Sequence, residues 1–298
     1  MKNRNIVGLL ICAFLFLLGF VIQGHLALYA NLSGLLIVLG GTLGATLISY
    51  RLDRLLIVYK VLLSSYRTRP KEPRDIIEIL VDLSVKSKFR GILSLQEDEW
   101  ETSILFLRRA LGFLVDGHNG VEIREVLSAE MYFFKMRRED CERVLRTMAD
   151  LFPSFGLVGS VVGLIGMLAG VGGDTAAILA SVPVALTSTL YGVVFANFFM
   201  VPFAANLRER TDQELLLQKI ILEGIIAIES EVNPRMLERK LKSFLTPSSR
   251  AGQLVSYERI RERFKIHQEE MAGRPPAEPA PPGPPSEQVP SLSLNPVS

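Results

Sequence analysis

The feature that most limits what this chain can become is the stretch from residue 151 to residue 207. Phe152 to Ala169 is 18 residues without a charge; as a helix it is roughly 27 Å long, close to the hydrocarbon thickness of a bilayer. The segment Gly170-Val-Gly-Gly-Asp174 interrupts it, and Ile178 to Ala205 is a second uncharged run of 28 residues, long enough to cross with tilt or a kink. The stretch therefore reads as two spanning helices joined by a tight turn. The first carries Gly156, Gly159, Ser160, Gly163 and Gly166, small residues at three- and four-residue spacings on one side. Such a stripe lets backbones approach closely in lipid, where packing replaces hydrophobic burial as the drive. The second carries Thr187, Ser188, Thr189, Tyr191 and Asn197, polar groups that need partner helices or a wet cavity rather than lipid. Pro153 and Pro202 sit near the far ends of the pair, where a kink couples it to what lies outside.

Two more charge-free runs, Ile6–Ile22 and Leu26–Tyr50, open the chain. With no small-residue cleavage pattern after the first, they read as an anchor hairpin and not as a signal peptide. The expected architecture is an all-α membrane protein with four transmembrane helices. A hairpin occupies 1–50, with spans over about 6–22 and 26–50. A large cytoplasmic helical domain fills 51–150. The second hairpin occupies 151–207, with spans over about 152–169 and 178–205. Cytoplasmic helices follow over 208–272, then a disordered proline-rich tail over 273–298. Basic residues set the orientation: residues 51–150 hold 18 Lys and Arg, residues 208–298 hold 13, and the short turns at 23–27 and 170–177 hold none. Both termini and the large loop are thus expected on the cytoplasmic side.

A net charge of +2 with interspersed signs leaves no nucleic-acid footprint. Cys12 and Cys141 are expected as free thiols, and the three histidines, His25, His118 and His267, make no metal spacing. With no phosphate loop or nucleophile elbow either, the sequence does not read as an enzyme.

In the charged part, Ile76, Ile77, Leu80, Val81 and Leu83 mark the apolar face of a helix over 75–87. A basic cluster, a turn at Gly91 and an acidic cluster follow, from Lys86 to Glu99. A long amphipathic helix over 121–149, with Ile123, Leu127, Phe134, Cys141, Val144, Leu145 and Met148 in phase, points straight at Pro153.

The apolar stretches contain no acid except Asp174 in the turn. A lining with alcohols and an amide but no carboxylate can serve ions only if a second protein brings the titrating group. The run Pro153-Ser-Phe-Gly through Gly163-Leu164, then Thr187-Ser-Thr-Leu-Tyr-Gly192, Pro202 and Arg208, resembles the MotA/PomA subunits of flagellar motor stators, within the superfamily that includes ExbB and TolQ. The likeness covers about residues 1–245. It implies a homopentamer around a MotB-type single-span, peptidoglycan-binding partner that carries the essential Asp. It also implies a proton or sodium channel that drives rotation with no cofactor beyond the transported H+ or Na+. By position, Ser160 and Thr189 match the family's hydroxyls beside the ion path, with Thr187, Tyr191 and Asn197 as further candidates, and Pro153 and Pro202 match its hinge prolines. The family's contact with the rotor switch-complex protein has an Arg three residues before a Gly and a Glu five after it. Here Lys88 and Gln96 stand there, so Lys88, Arg90, Glu97 and Asp98 are the candidate rotor-contact residues. An ExbB/TolQ-like energiser of outer-membrane processes is the alternative, but those proteins place the large loop after the first of three spans.

Overall fold

The structure is a computed structural model that describes residues 3–24, 29–67, 71–169 and 175–245. The chain divides into two units, Met1–Ala251 and Gly252–Ser298. The second, with the expected proline-rich tail, lies outside the described residues, as do residues 25–28 and 170–174 of the short turns between the expected spans.

The described residues form helices and no strand. They run α1 (Asn3–Gln23), α2 (Leu32–Ser49), α3 (Leu52–Arg67), α4 (Pro73–Arg90), a 3-10 turn at Ile92–Leu95, α5 (Gln96–Glu101), α6 (Leu105–Val115), α7 (Gly120–Ala169), α8 (Thr175–Val194), a π-helical turn at Phe195–Met200, α9 (Val201–Glu229) and α10 (Pro234–Lys242). Three stretches of the described helices are long and apolar enough to cross a membrane: α2, the end of α7, and the run from Ser181 through α9. Large side chains point outward from them, among them Ile48, Leu157, Ile165 and Leu186, as suits a surface bathed in hydrocarbon.

Local chemistry explains most of the boundaries. Asn31 caps α2, its Oδ1 accepting the Gly34 N–H at 3.1 Å, so this helix begins at Leu32 and not at Leu26, where the charge-free run opens. Asn119 caps α7 by accepting from Val121 and Glu122, and Asn233, followed by Pro234 in the first turn, caps α10. Helix α4 stops where Gly91 takes φ +80°, a conformation that side chains resist.

Helix α7 is the spine. Its 50 residues pass through Pro153 without a break. The half before Pro153 packs with α3 and α9 around Val58, Cys141, Val144, Leu145, Ala204 and Leu207. The second half lies along α8, with α2 in the groove between them. Helices α4, α6 and α10 surround the last part of α9, whose Ile220, Ile221, Leu222 and Ile225 are buried. The phase expected for α4 is the one observed: Ile76, Ile77, Leu80, Val81 and Leu83 are all buried.

Candidate functional site

The small residues of α7 meet α8 backbone to backbone. A methyl added to Gly163 would lie 2.5 Å from the Ala185 nitrogen, and one on Gly159 would lie 2.5 Å from the Ser188 Cβ. Gly192 answers from the other helix: a Cβ there would lie 2.5 Å from the Phe152 carbonyl and 3.1 Å from the Pro153 Cα. The spacing that marks a close-packing stripe in the sequence thus forms one, with α8 as its partner.

Within this seam, Ser160 and Thr189 are brought together. The Ser160 hydroxyl is 2.5 Å from the Thr189 hydroxyl, 2.5 Å from the Ala185 carbonyl and 3.2 Å from the Gly156 carbonyl. Ser160 has one proton to donate and three oxygens around it, so the cluster holds more lone pairs than protons. Two hydroxyls and two helix carbonyls can offer oxygen to a cation, or to a proton carried by water, without contributing charge of their own.

The other candidates on this hairpin go elsewhere. Thr187 faces α2, its hydroxyl donating to the Pro183 carbonyl at 2.6 Å, and Ser188 beside it is fully buried. The Tyr191 hydroxyl accepts the Asn31 N–H at 2.8 Å and donates to the Tyr29 carbonyl. Asn197 lies exposed on the π-helical turn, its amide donating to the Val193 carbonyl at 3.0 Å.

The two prolines differ in setting. Pro153 is inside α7 and packs on Gly192. Pro202 follows the π-helical turn, where the Val201 N–H reaches back five residues to the Ala196 carbonyl. A proline has no N–H to return, and π turns recur where a helix must absorb such an irregularity. Phe152 stacks on Phe195 at 5.4 Å, and Phe199, Phe203 and Tyr66 continue the aromatic contacts at 5.8, 6.3 and 6.0 Å. They link the proline on α7 to the proline on α9 and on to α3.

At the far end, Lys86 is drawn between the acidic residues, 2.7 Å from Asp98 and 3.6 Å from Glu97. The basic and acidic clusters of the sequence thus fold onto each other across the Gly91 turn. Lys88 stays exposed, and it shares with Arg90, Leu93, Ile228 and Val232 a groove of about 380 Å³.

Sequence reasoning missed three features. Asn31 is both cap and Tyr191 partner, and an Asn just ahead of an apolar run is a readable signal for the first of these roles. Glu223 interrupts the apolar run Ile220-Ile-Leu-Glu-Gly-Ile-Ile226; it is buried and held by Arg124 at 3.0 Å, Lys219 at 3.2 Å and Lys240 at 2.7 Å. Burial raises its pKa, but hydrogen bonds from Lys240, Arg124 and Lys219 outweigh that and hold it at about 2. A lone acid in an apolar stretch was its sign. Thr42, fully buried on α2 with no hydrogen-bond partner for its hydroxyl among the described residues, had none.

Comparison with known proteins identifies the family. A model of the MotA/TolQ/ExbB proton channel family matches residues 99–219. Chemotaxis protein PomA of Vibrio alginolyticus is 30% identical over 235 residues, 79% of this chain and 92% of PomA. Motility protein A of Borreliella burgdorferi is 32% identical over 226 residues, 76% of this chain and 86% of its own. A solved structure of C. jejuni MotAB superposes with a TM-score of 0.78 at 26% identity, covering 85% of this chain and all of that one.

Proposed function

This chain belongs to the MotA/TolQ/ExbB proton channel family, and we propose that it is the A-type subunit of an ion-driven rotary stator of the flagellar-motor kind. It is an all-α membrane protein of the bacterial inner membrane. In this reading it crosses the membrane four times, with both termini and the charged half in the cytoplasm. Five copies surround a MotB-type partner whose single span carries the titrating Asp and whose outer part grips peptidoglycan.

The observation that carries the reading is the Ser160–Thr189 pair, held at 2.5 Å in a seam between the apolar half of α7 and α8, neither of which brings an acid or base of its own. A neutral oxygen-rich wall lowers the cost of partly dehydrating a cation while leaving the charge switch to the partner's carboxylate. Each ion neutralises and then releases that carboxylate. The A-subunit helices flex at Pro153 and Pro202, and the ring steps around the fixed partner. Lys88, exposed near the end of α4, is the rotor-facing charge of choice, with Arg90, Glu97 and Asp98 beside it.

The test is reconstitution of the chain with its single-span partner in proteoliposomes, with Ser160→Ala and Thr189→Val as variants. Ion flux in the wild type that falls about tenfold or more in either variant, a loss on the order of one charge-assisted hydrogen bond in the barrier, supports the proposal. Wild-type complexes that pass neither protons nor sodium would sink it.

A further inference from the structure

Tyr191 belongs to the helix that carries Thr189, but its hydroxyl does not enter the seam. It spans to the other hairpin, accepting the Asn31 N–H and donating to the Tyr29 carbonyl. Asn31 also caps α2 through Gly34, and Gly34 rests on α8 one turn before Tyr191. A methyl on Gly34 would lie 2.7 Å from the Ser188 Oγ and 3.5 Å from the Thr187 Oγ1. Thr187, Ser188 and Tyr191 therefore hold the start of α2.

At about 100° per residue, these three side chains share one side of α8, with Ser188 at its edge also facing Gly159 of α7. Ala185, Thr189 and Gly192 share another, and that side meets α7 at Gly163, Ser160 and Pro153. The two attachments divide about two turns of α8, residues 185–192, between two neighbours. A rotation of α8 that opened the Ser160–Thr189 contact would have to break the phenol's bonds to Asn31 and Tyr29. Those part-buried backbone groups would lose the partner they have.

We propose that Tyr191 is a positioning residue: by fastening α8 to the start of α2, it sets the rotation at which Thr189 meets Ser160. The inference rests on the stator reading for its effect on ion flow, but the rotation itself is measurable without it.

The experiment uses the full chain with its single-span partner, Cys12→Ser and Cys141→Ala as background, and the pair Ser160→Cys and Thr189→Cys as reporter. In that protein a mild oxidant joins the two introduced thiols at a rate set by how α8 faces α7. Adding Tyr191→Phe keeps the ring and removes the hydroxyl. The expected result is cross-linking slowed about tenfold, the factor that corresponds to loss of one or two hydrogen bonds. Without the reporter cysteines, Tyr191→Phe should lower ion flux by a similar factor while the complex purifies in the same amount and size. Flux lowered with cross-linking unchanged would overturn the proposal and make Tyr191 a direct contact of the ion. Unchanged cross-linking and unchanged flux would overturn it as well. If the wild type conducts no ion, the stator reading fails, and the cross-linking rates still decide the role of Tyr191. Should Tyr191→Phe not accumulate, Gly34→Ala displaces α2 from the same turn of α8 and must slow the cross-link in its place; an unchanged rate there also overturns the proposal.

Discussion

After Pro153, helix α7 meets its neighbours through glycine; before it, the same helix meets them through isoleucine, leucine and valine. In the apolar half, Gly156, Gly159 and Gly163 are buried against α8 and hydroxyls bond to helix carbonyls. In the charged half, Ile123, Leu127, Val144 and Leu145 are buried in side-chain clusters, and Arg124 reaches Glu223. Hydrocarbon gives helices no reason to hide apolar surface from one another, so contact there depends on close approach and internal polar bonds. Water supplies that reason in the other half, and large side chains exploit it. The rule for tolerated substitutions therefore inverts at Pro153.

The sharpest way to break the comparison is Gly163→Ala. Its new methyl would meet the Ala185 backbone at 2.5 Å, and since backbone cannot swing aside, α7 and α8 must separate. We expect loss of the assembled complex on size-exclusion chromatography, with an overpacking cost of about 1–3 kcal/mol or more. On the other side, Leu127→Ala removes volume from a fully buried site and should cost about 2–5 kcal/mol, read as a lowered thermal midpoint in detergent. If Gly163→Ala is silent and Leu127→Ala is not, both halves follow the rules of a soluble core.

Glu223→Gln probes the electrostatics peculiar to the charged half and should cost about 1–3 kcal/mol. Its pH dependence has a definite sign. The native carboxyl is held at about 2 against an ordinary 4.5, so its contribution is complete above pH 4.5 and is lost as pH falls toward 2. Melting midpoints of wild type and variant should therefore converge across that interval; a constant gap would show that the cations do not stabilise the carboxylate. The smallest effect is reserved for Gly40→Ala on α2. Nothing lies within 4 Å of the added methyl, and we expect a change within about 0.5 kcal/mol, toward stability if any, since alanine suits a helix better than glycine. A large loss at Gly40 would mean that this face packs on another chain and not on lipid.

Much of this was legible in the residues. The charge-free runs, the period of the Gly/Ser stripe on α7, the buried face of α4 and the straight passage of α7 into Pro153 are all local properties, and the structure displays each of them. The glycines of α2 were not separable by sequence: a methyl added at Gly34 or Gly41 would run into α8 or the Phe155 side chain, while one at Gly40 or Gly44 would meet nothing within 4 Å. Nor were the polar residues of α8 and of the π-helical turn after it. They look alike as a string, yet Thr189 pairs with α7, Thr187 and Tyr191 turn to the first hairpin, and Asn197 stays outside.

By itself, then, the amino-acid order determined which segments are helices, which of them are apolar enough for a membrane, and which side of each is small or large. Those properties repeat with the 3.6-residue period of a single helix and need no neighbour to define them. Only the tertiary structure decided at what rotation α8 meets α7 and α2, that Lys86 would reach Asp98 across a turn, and that the helix before Pro202 would widen by one residue. The first depends on contacts between segments far apart in the chain, whose relative angle no local period contains; the other two arise at a turn and at a proline, where that period is interrupted.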